Sequence, residues 1–354
     1  MRTFKITLIF AFLTFSVGNV FAQDIHFSQF YKNPLVTNPG AAGMGKGFNR
    51  ANLNYRSQWT TIDNSFSTMG MSVDLPLLFN KLVKRNAYLG AGLHVMNDVA
   101  GDAKLKTLNF GFSLTGILIA SKADKISLGL QTNFVQRSVQ PDLIQWDSQW
   151  NGNEYDPSIA HGENYFAQSR SHFDFSTGML WKHKRHVMSV SAFDEVSFNV
   201  GAAYHHILRP NLEFTSFYSD RQFSKFVIHG DGNFHIKGSY IAIDPAIYFA
   251  HQGPDNDFMV GGIVKYFFNS DTKATGFVLE KALGIGMYYR VNDAIIPSIV
   301  FEMAGFELQA SYDYTVSTLQ QAISGVGGFE LSLRWQDTDG TLFNQGNKHV
   351  IFLD

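Results

Sequence analysis

Phe306-Glu307-Leu308-Gln309-Ala310-Ser311-Tyr312-Asp313-Tyr314-Thr315 alternates without a break between two kinds of side chain. Phe306, Leu308, Ala310, Tyr312 and Tyr314 fall on one side of an extended chain, and Glu307, Gln309, Ser311, Asp313 and Thr315 on the other. Such a period of two marks a strand between an apolar and a polar environment. The pattern recurs at 329–335, where Phe329, Leu331, Leu333 and Trp335 oppose Glu330, Ser332 and Arg334. At 51–59, Ala51, Leu53, Tyr55, Ser57 and Trp59 oppose Asn52, Asn54, Arg56 and Gln58. Segments 106–118, 126–134 and 283–291 repeat it with more interruptions.

Working along the chain, about fourteen segments of this kind are found, at 49–59, 64–76, 88–98, 104–119, 125–138, 172–182, 195–207, 224–236, 240–251, 257–268, 281–291, 294–303, 305–315 and 327–335. Each is close to the ten or so residues that a tilted strand needs to cross a bilayer. Residues 182–195 read least clearly and could hold a further strand or an extended hairpin. Aromatic side chains near segment ends (Trp59, Tyr88, Trp181, Phe268 and Trp335) suit an interfacial girdle. Connections alternate too. The polar stretches 139–171 and 208–223 fall on the outward side, and the tight turns 121–124, 237–239 and 304–305 on the inward side. The pattern is imperfect, because 291–293 is a short outward turn and 269–280 a long inward connection.

Composition agrees. Charged residues are 16% of the 354 and aromatic residues 15%, with 33 phenylalanines. Charge near 16% is below the quarter or so usual in soluble domains. A soluble sandwich would also alternate, but its outer face would carry more Lys and Glu. The balance of 28 Lys and Arg against 30 Asp and Glu, net −2, offers no basic excess for nucleic acid. No cysteine is present, which excludes disulfides, thiolate metal sites and an acylated cysteine anchor.

The first residues resemble a secretory leader. Arg2 and Lys5 precede an apolar run at 6–17, and Val20-Phe21-Ala22 offers a cleavage site. The expected organisation is a signal peptide at 1–22, a leader or plug at 23–48, a transmembrane antiparallel β-barrel at 49–335 and a periplasmic tail at 336–354. The expected location is the bacterial outer membrane, with lipid as one partner.

The start of the mature chain reads Gln23-Asp24-Ile25-His26-Phe27-Ser28-Gln29-Phe30-Tyr31-Lys32-Asn33-Pro34-Leu35, then Asn38-Pro39-Gly40-Ala41-Ala42-Gly43. It resembles the opening of the PorP/SprF family of outer-membrane proteins, Q-D-x-x-F-S-Q-Y-x-x-N-P-L-x-x-N-P-A-x-A-G. Arg56, Gln58 and Trp59 match the family's R-x-Q-W, and Ser311-Tyr312-Asp313-Tyr314-Thr315 and Glu330-Leu331-Ser332-Leu333 continue the resemblance late in the chain. Gly40 departs from the usual alanine, and Gly327-Gly328-Phe329 from a Gly-Ser-His. The resemblance implies a barrel of the fatty-acid-transporter kind. It also implies a role in the type IX secretion system and gliding motility of Bacteroidota, helping to export a secreted adhesin or hold its C-terminal domain at the surface. Other components of that apparatus are implied as partners. A transporter of hydrophobic small molecules and a general porin are the alternatives.

Candidate sites follow. Residues 23–48 are too rich in Pro, Gly and Asn for a strand, and Asn33-Pro34 and Asn38-Pro39 force turns. They are expected to plug the lumen, with Phe27, Phe30 and Tyr31 against the wall; a loose periplasmic leader is the other reading. Ser28, Gln29, Asn33, Pro34, Asn38, Pro39 and Gly43 carry the family motif there. Arg56, Gln58, Asp313 and Glu330 lie on the polar faces of the first and last strands, which must pair for closure, and are expected to form a polar cluster, structural or ligand-binding. Trp146, Trp150, Tyr155, Tyr165 and Phe166 in the outward stretch 139–171 suit a recognition loop, or a lid over the barrel mouth. Adjacent His205 and His206 should point to opposite faces of a strand, and His229 with His235 forms no ligand set, so no metal is expected. No cofactor is implied, and no motif sets a nucleophile beside a base, so no enzyme is expected.

Overall fold

In the computed structural model, which describes residues 24–58, 66–77, 86–101, 103–140, 143–160, 169–186, 195–212, 214, 221–269, 281–317 and 326–337, the alternating segments become strands. They are β1 (Asn49–Gln58), β2 (Phe66–Leu77), β3 (Ala87–Ala100), β4 (Leu105–Ile119), β5 (Asp124–Ser138), β6 (Ser169–His186) and β7 (Glu195–His205). The series continues with β8 (Lys225–His235), β9 (Ile241–Gln252), β10 (Asp255–Asn269), β11 (Lys281–Arg290), β12 (Ala294–Met303), β13 (Phe306–Thr315) and β14 (Val326–Asp337). Each pairs antiparallel with its sequence neighbours, and β1 pairs with β14, which closes a fourteen-stranded barrel.

The side-chain alternation sorts into inside and outside. On β5, Leu128 and Leu130 are each 65% exposed, while Ser127 and Gln131 are buried in the interior. Along β11, Ile285 and Met287 point out and Tyr288 and Arg290 point in. Leaving one such apolar side chain in water forgoes about 1.5–3 kcal/mol. A belt of them around the whole wall is stable only when lipid covers it. No helix among the described residues is long and apolar enough to cross a membrane; the strands do the crossing.

Two details differ from expectation. β6 extends to 18 residues, Ser169–His186, because its polar ends continue the ladder past the apolar belt that made it visible in the sequence. It pairs with β7 down to His186 opposite Glu195, so these two strands are direct neighbours in the ladder; residues 187–194, where a further strand or extended hairpin was the open reading, lie outside the described residues. Tyr88 turns inward rather than joining a girdle, packing against Ala41, Met44, Ile117 and Leu180. Trp181 and Phe268 do point outward, whereas Trp59, like 1–23 and 338–354, lies outside the described residues.

The interior is filled on two levels. On β7–β12 the apolar side chains Val227, Ala246, Met259, Ile263, Ile296 and Val300 gather around Phe30, between buried polar and charged ones such as His229, Lys265 and Arg290. A second, smaller apolar group joins Ala41 and Met44 to Ile117 and Leu180, and polar side chains of the wall meet much of the remainder of segment 24–48. Within that segment Pro34 starts the single-turn α1 (Pro34–Thr37), and Pro39 starts a 3-10 turn, Pro39–Ala41. Asn38 between them is extended, as a residue before proline must be, and its side chain accepts the Gly40 N–H.

By the rule that longer connections face outward, the end carrying 139–168 and 206–224 is external and the end with the Ala304-Gly305 turn is periplasmic. Asp24 bonds to Gln252 and Gln222 at the external end, and the Phe48 N–H bonds to the Asp337 carbonyl at the periplasmic end. Residues 24–48 therefore run the depth of the barrel.

Candidate functional site

The closing strands bring Arg56 directly opposite Glu330 in the β1–β14 register. The guanidinium bonds Glu330 Oε2 at 2.9 Å through Nη1 and Asp313 Oδ2 at 2.8 Å through Nη2. All three side chains are almost completely buried. Arg290 adds a second cation, 3.3 Å from Asp313 and 3.1 Å from Asp293. Two guanidiniums thus meet Asp313 and Glu330 in a charge-matched core, which is how buried ions stay tolerable. Gln58 lies opposite Gly328, one step towards the external end, where it lines a cavity of about 380 Å³ with Asp24, His26 and Asp257.

Ser28 sits at the centre of this cluster. Its hydroxyl donates to the Asp313 carboxylate (2.7 Å to Oδ2) and accepts from Arg56 Nη1 (2.6 Å) and Arg290 Nη2 (2.8 Å). A hydroxyl has one donor and two lone pairs, so all its capacity is used. The backbone N–H groups of Ser28 and Gln29 donate to the two oxygens of Glu330 at 2.8 and 3.0 Å. The Gln29 side chain donates to Ser311 and accepts from Ser332. Phe27 is buried beside it, near Gly70 of β2. Tyr312 and Tyr314, by contrast, point out of the barrel on either side of Asp313.

Further along, the carbonyls of the segment find donors on the wall. Leu35 takes Gln131 Nε2 (2.9 Å), Pro39 the Thr115 hydroxyl (2.9 Å), Gly40 the Ser127 hydroxyl (2.6 Å) and Ala41 Arg50 Nη2 (2.9 Å). Asn38 is completely buried; its amide nitrogen donates to the Met179 carbonyl at 2.8 Å and faces His229 Nε2 at 3.0 Å. Asn33 and Pro34 are buried at the turn into α1. Gly43 holds φ +73°, a value that favours glycine, and its N–H donates to Asp74 at 2.8 Å.

What lets the motif Asn38–Gly43 lie so close is a shelf of glycines. Gly90 of β3, Gly129 of β5, Gly178 of β6 and Gly201 of β7 all face it. A Cβ on Gly178 would stand 2.1 Å from Asn38 Oδ1, and one on Gly90 2.2 Å from the Ala42 carbonyl. Sequence reading missed this shelf, although Gly129 and Gly178 are register partners on the inner parity of β5 and β6.

At the external end, His206 departs from expectation. Its φ of +57° takes it out of the strand, so its ring points inward like that of His205. His206 Nε2 meets Asp24 at 2.6 Å and Nδ1 meets Asp174 at 2.8 Å. Burial works against charge on this ring, but Asp24 and Asp174 outweigh it and raise the His206 pKa to about 9. Asp24 is in turn held below the usual carboxylate range, His206 and Lys225 overcoming its burial. Among the described residues no group of three His, Cys, Asp or Glu side chains could hold a metal.

In the long external connection, Trp146 precedes a 3-10 turn, Asp147–Gln149, and Trp150 pairs with Tyr155 in a small antiparallel bridge. Gln149 is buried within it, bonded to the Trp146 N–H, the Tyr155 hydroxyl and the Ile159 carbonyl. Trp146 and Tyr155 thus help to hold the loop together, and Trp150 stands out, 58% exposed. Tyr165 and Phe166 lie outside the described residues.

Among solved structures the chain is similar to the toluene transporter TbuX of Ralstonia pickettii, at 7% identity, with 85% of this chain and 91% of that one covered and a TM-score of 0.41. It is similar to BamA of Haemophilus ducreyi lacking POTRA domains 1–3, at 9% identity, 82% and 70% coverage and a TM-score of 0.41. The β domain of the Bordetella autotransporter BrkA matches at 8% identity, 83% and 100% coverage and a TM-score of 0.36. No curated protein matches. The family described as "Type IX secretion system membrane protein PorP/SprF" matches residues 19–335, nearly the whole chain, and the protein belongs to that family of outer-membrane barrels.

Proposed function

We propose that this barrel is a non-enzymatic outer-membrane partner of the type IX secretion and gliding apparatus, engaging a secreted adhesin through its external loops. On this reading it helps to export the adhesin or anchors its C-terminal domain. The carrying observation is the occupancy of the interior. Residues 24–48 act as a plug, bonded to the wall at Ser28, Gln29, Leu35, Asn38 and Gly40. A barrel filled in this way offers a partner its rim rather than its lumen. The internally braced loop that presents Trp150 suits such a contact, since exposed aromatics on ordered backbone give contact area at low entropic cost.

The test is extraction in mild detergent with mass spectrometry of the co-purifying proteins. Recovery of a large secreted surface protein, reduced by W150A, supports the reading; recovery of the barrel alone from cells that secrete such proteins overturns it. A second reading, passage of hydrophobic small molecules, draws on the apolar inner wall around Phe30. Uptake of a labelled hydrocarbon into liposomes carrying the pure barrel would favour it.

A further inference from the structure

We propose that the lumen beside β8–β12 is a closed passage for small hydrophilic solutes, gated at mid-depth by Phe30 and Tyr31 of the internal segment. Two cavities lie in line there, one of about 740 Å³ towards the periplasmic end and one of about 380 Å³ towards the external end. The inward positions of three strands show what separates them. On β9, Asp244 and Ala246 line the periplasmic cavity, Ala250 and Gln252 the external one, and Tyr248 stands between. On β10 the order is Ile263, Met259, Asp257, and on β8 it is His229, Val227, Lys225.

Among the described residues the dividing layer is therefore apolar and aromatic, with Val227, Tyr248, Met259 and Ile296 from the wall and two rings from the internal segment. Phe30 packs on Tyr248 with ring centroids 5.0 Å apart, and Tyr31 on Tyr288 at 5.7 Å. The layer is thin. On β11 the successive inward residues Tyr288 and Arg290 already belong to opposite cavities. Tyr288 does not close the lumen by itself, since its ring lies on the wall over Gly261, where an added Cβ would stand 2.5 Å from Tyr288 Cδ1.

Beyond this layer both cavities carry polar side chains. Asp24, Asp257 and Arg290 line the external one, and Lys265, paired with Asp244 and Glu302, lines the other. An apolar constriction between two polar chambers excludes water and ions by dewetting, and conducts once it is widened. Room to widen is at hand, because Phe30 and Tyr31 both border the larger cavity and their rings can turn into it. The backbone can stay anchored meanwhile, the Phe30 carbonyl by the Thr37 hydroxyl at 3.0 Å and the Tyr31 carbonyl by Arg334. The Tyr31 hydroxyl, which accepts from Gln309 Nε2 at 2.6 Å, is the polar contact that opening would break. Such a gate is separate from the rim contact with a secreted protein, and the failure of one leaves the other standing.

The experiment records potassium chloride conductance of the full-length barrel in planar bilayers. The wild type is expected to stay closed. F30A and, from the wall side, Y248A are each expected to raise conductance at least tenfold, and I285A, on the lipid face, to match the wild type. In the same variants a cysteine placed at Ala41 reports, by its protection from a water-soluble maleimide, whether the segment has kept its place. Conductance in either variant with that cysteine still protected assigns the gate. No conductance in both, an equal rise in I285A, or a wild type that already conducts overturns it. Conductance that appears only when the cysteine becomes reactive overturns it too, because the whole segment has then left the lumen.

Discussion

Arg56 and Glu330 are separated by 274 positions in sequence, yet they face each other at 2.9 Å across the β1–β14 seam. Each is buried, and each has further partners: Asp313 for the arginine, the Ser28 and Gln29 N–H groups for the glutamate. The seam is therefore fastened from the inside by charge as well as by backbone ladder.

Replacing Arg56 by Met should leave Glu330 and Asp313 in the interior short of a cation, a loss of about 3–5 kcal/mol for a broken buried pair. The measurement is a urea or guanidinium midpoint in detergent, read by heat-modifiable migration. A midpoint shift smaller than that of a control substitution on the lipid face would contradict the role given to this pair.

Ser28→Ala removes one hydroxyl that serves three charged partners. A stability loss of about 1.5–3 kcal/mol is expected for hydrogen bonds to charged groups. Ser28→Thr keeps the hydroxyl and should be the milder change. If Ala and Thr behave alike, the hydroxyl is not what matters.

Gly178→Val would drive a side chain into Asn38, where even a Cβ stands 2.1 Å from Oδ1. The segment should lift off its shelf, and a cysteine placed at Ala41 should go from protected to reactive with a water-soluble maleimide. Unchanged protection would mean that the wall yields instead of the segment.

The pH dependence concentrates at His206. Its pKa is raised from 6.5 to about 9, so its contribution is complete below about pH 6.5 and is lost as pH rises through about 9. Asp24, held low, contributes above its ordinary pKa of 3.8 and loses that contribution in acid. Amide exchange at residues 24–28 should accelerate between pH 7 and 10, and less so in H206Q, which lacks the titration. Equal acceleration in both proteins, after correction for intrinsic exchange, would place the pH response elsewhere.

Trp150→Ala should leave barrel stability within about 0.5 kcal/mol, as for exposed positions generally, while reducing recovery of the secreted partner. A matched control is Gln149→Ala, which should loosen the loop by removing the group that Trp146 and Tyr155 share. Loss of partner in the second variant alone would move the contact from Trp150 to other parts of the loop.

The wall was legible in the sequence because period two over ten or more residues has no other cheap explanation. Its ends were less so: β6 outruns its apolar stretch at both ends, and Tyr88 has the look of a girdle residue but the parity of an inward one. Arg56, Asp313 and Glu330 could be placed on one face by counting. Their shared dependence on Ser28 could not, since Ser28 stands 302 positions from Glu330 and carries no periodic signal. The glycine shelf was silent for a different reason: glycine adds neither polarity nor bulk to an alternation pattern. His206 escapes strand parity because its left-handed backbone ends β7 at His205, and nothing in the sequence marks that turn.

The path of residues 24–48 has a consequence for assembly. Ser28 belongs at once to the inner cord and to the lock between the first and last strands, so neither is complete without the other. A nascent ring that zipped shut while empty would leave Asp313 and Glu330 without their N-terminal donors, and a cord lying outside would have nothing to grip. Cord and ring therefore stabilise each other, and residues 28 and 29 take their final partners only once β13 and β14, the last strands, are in place.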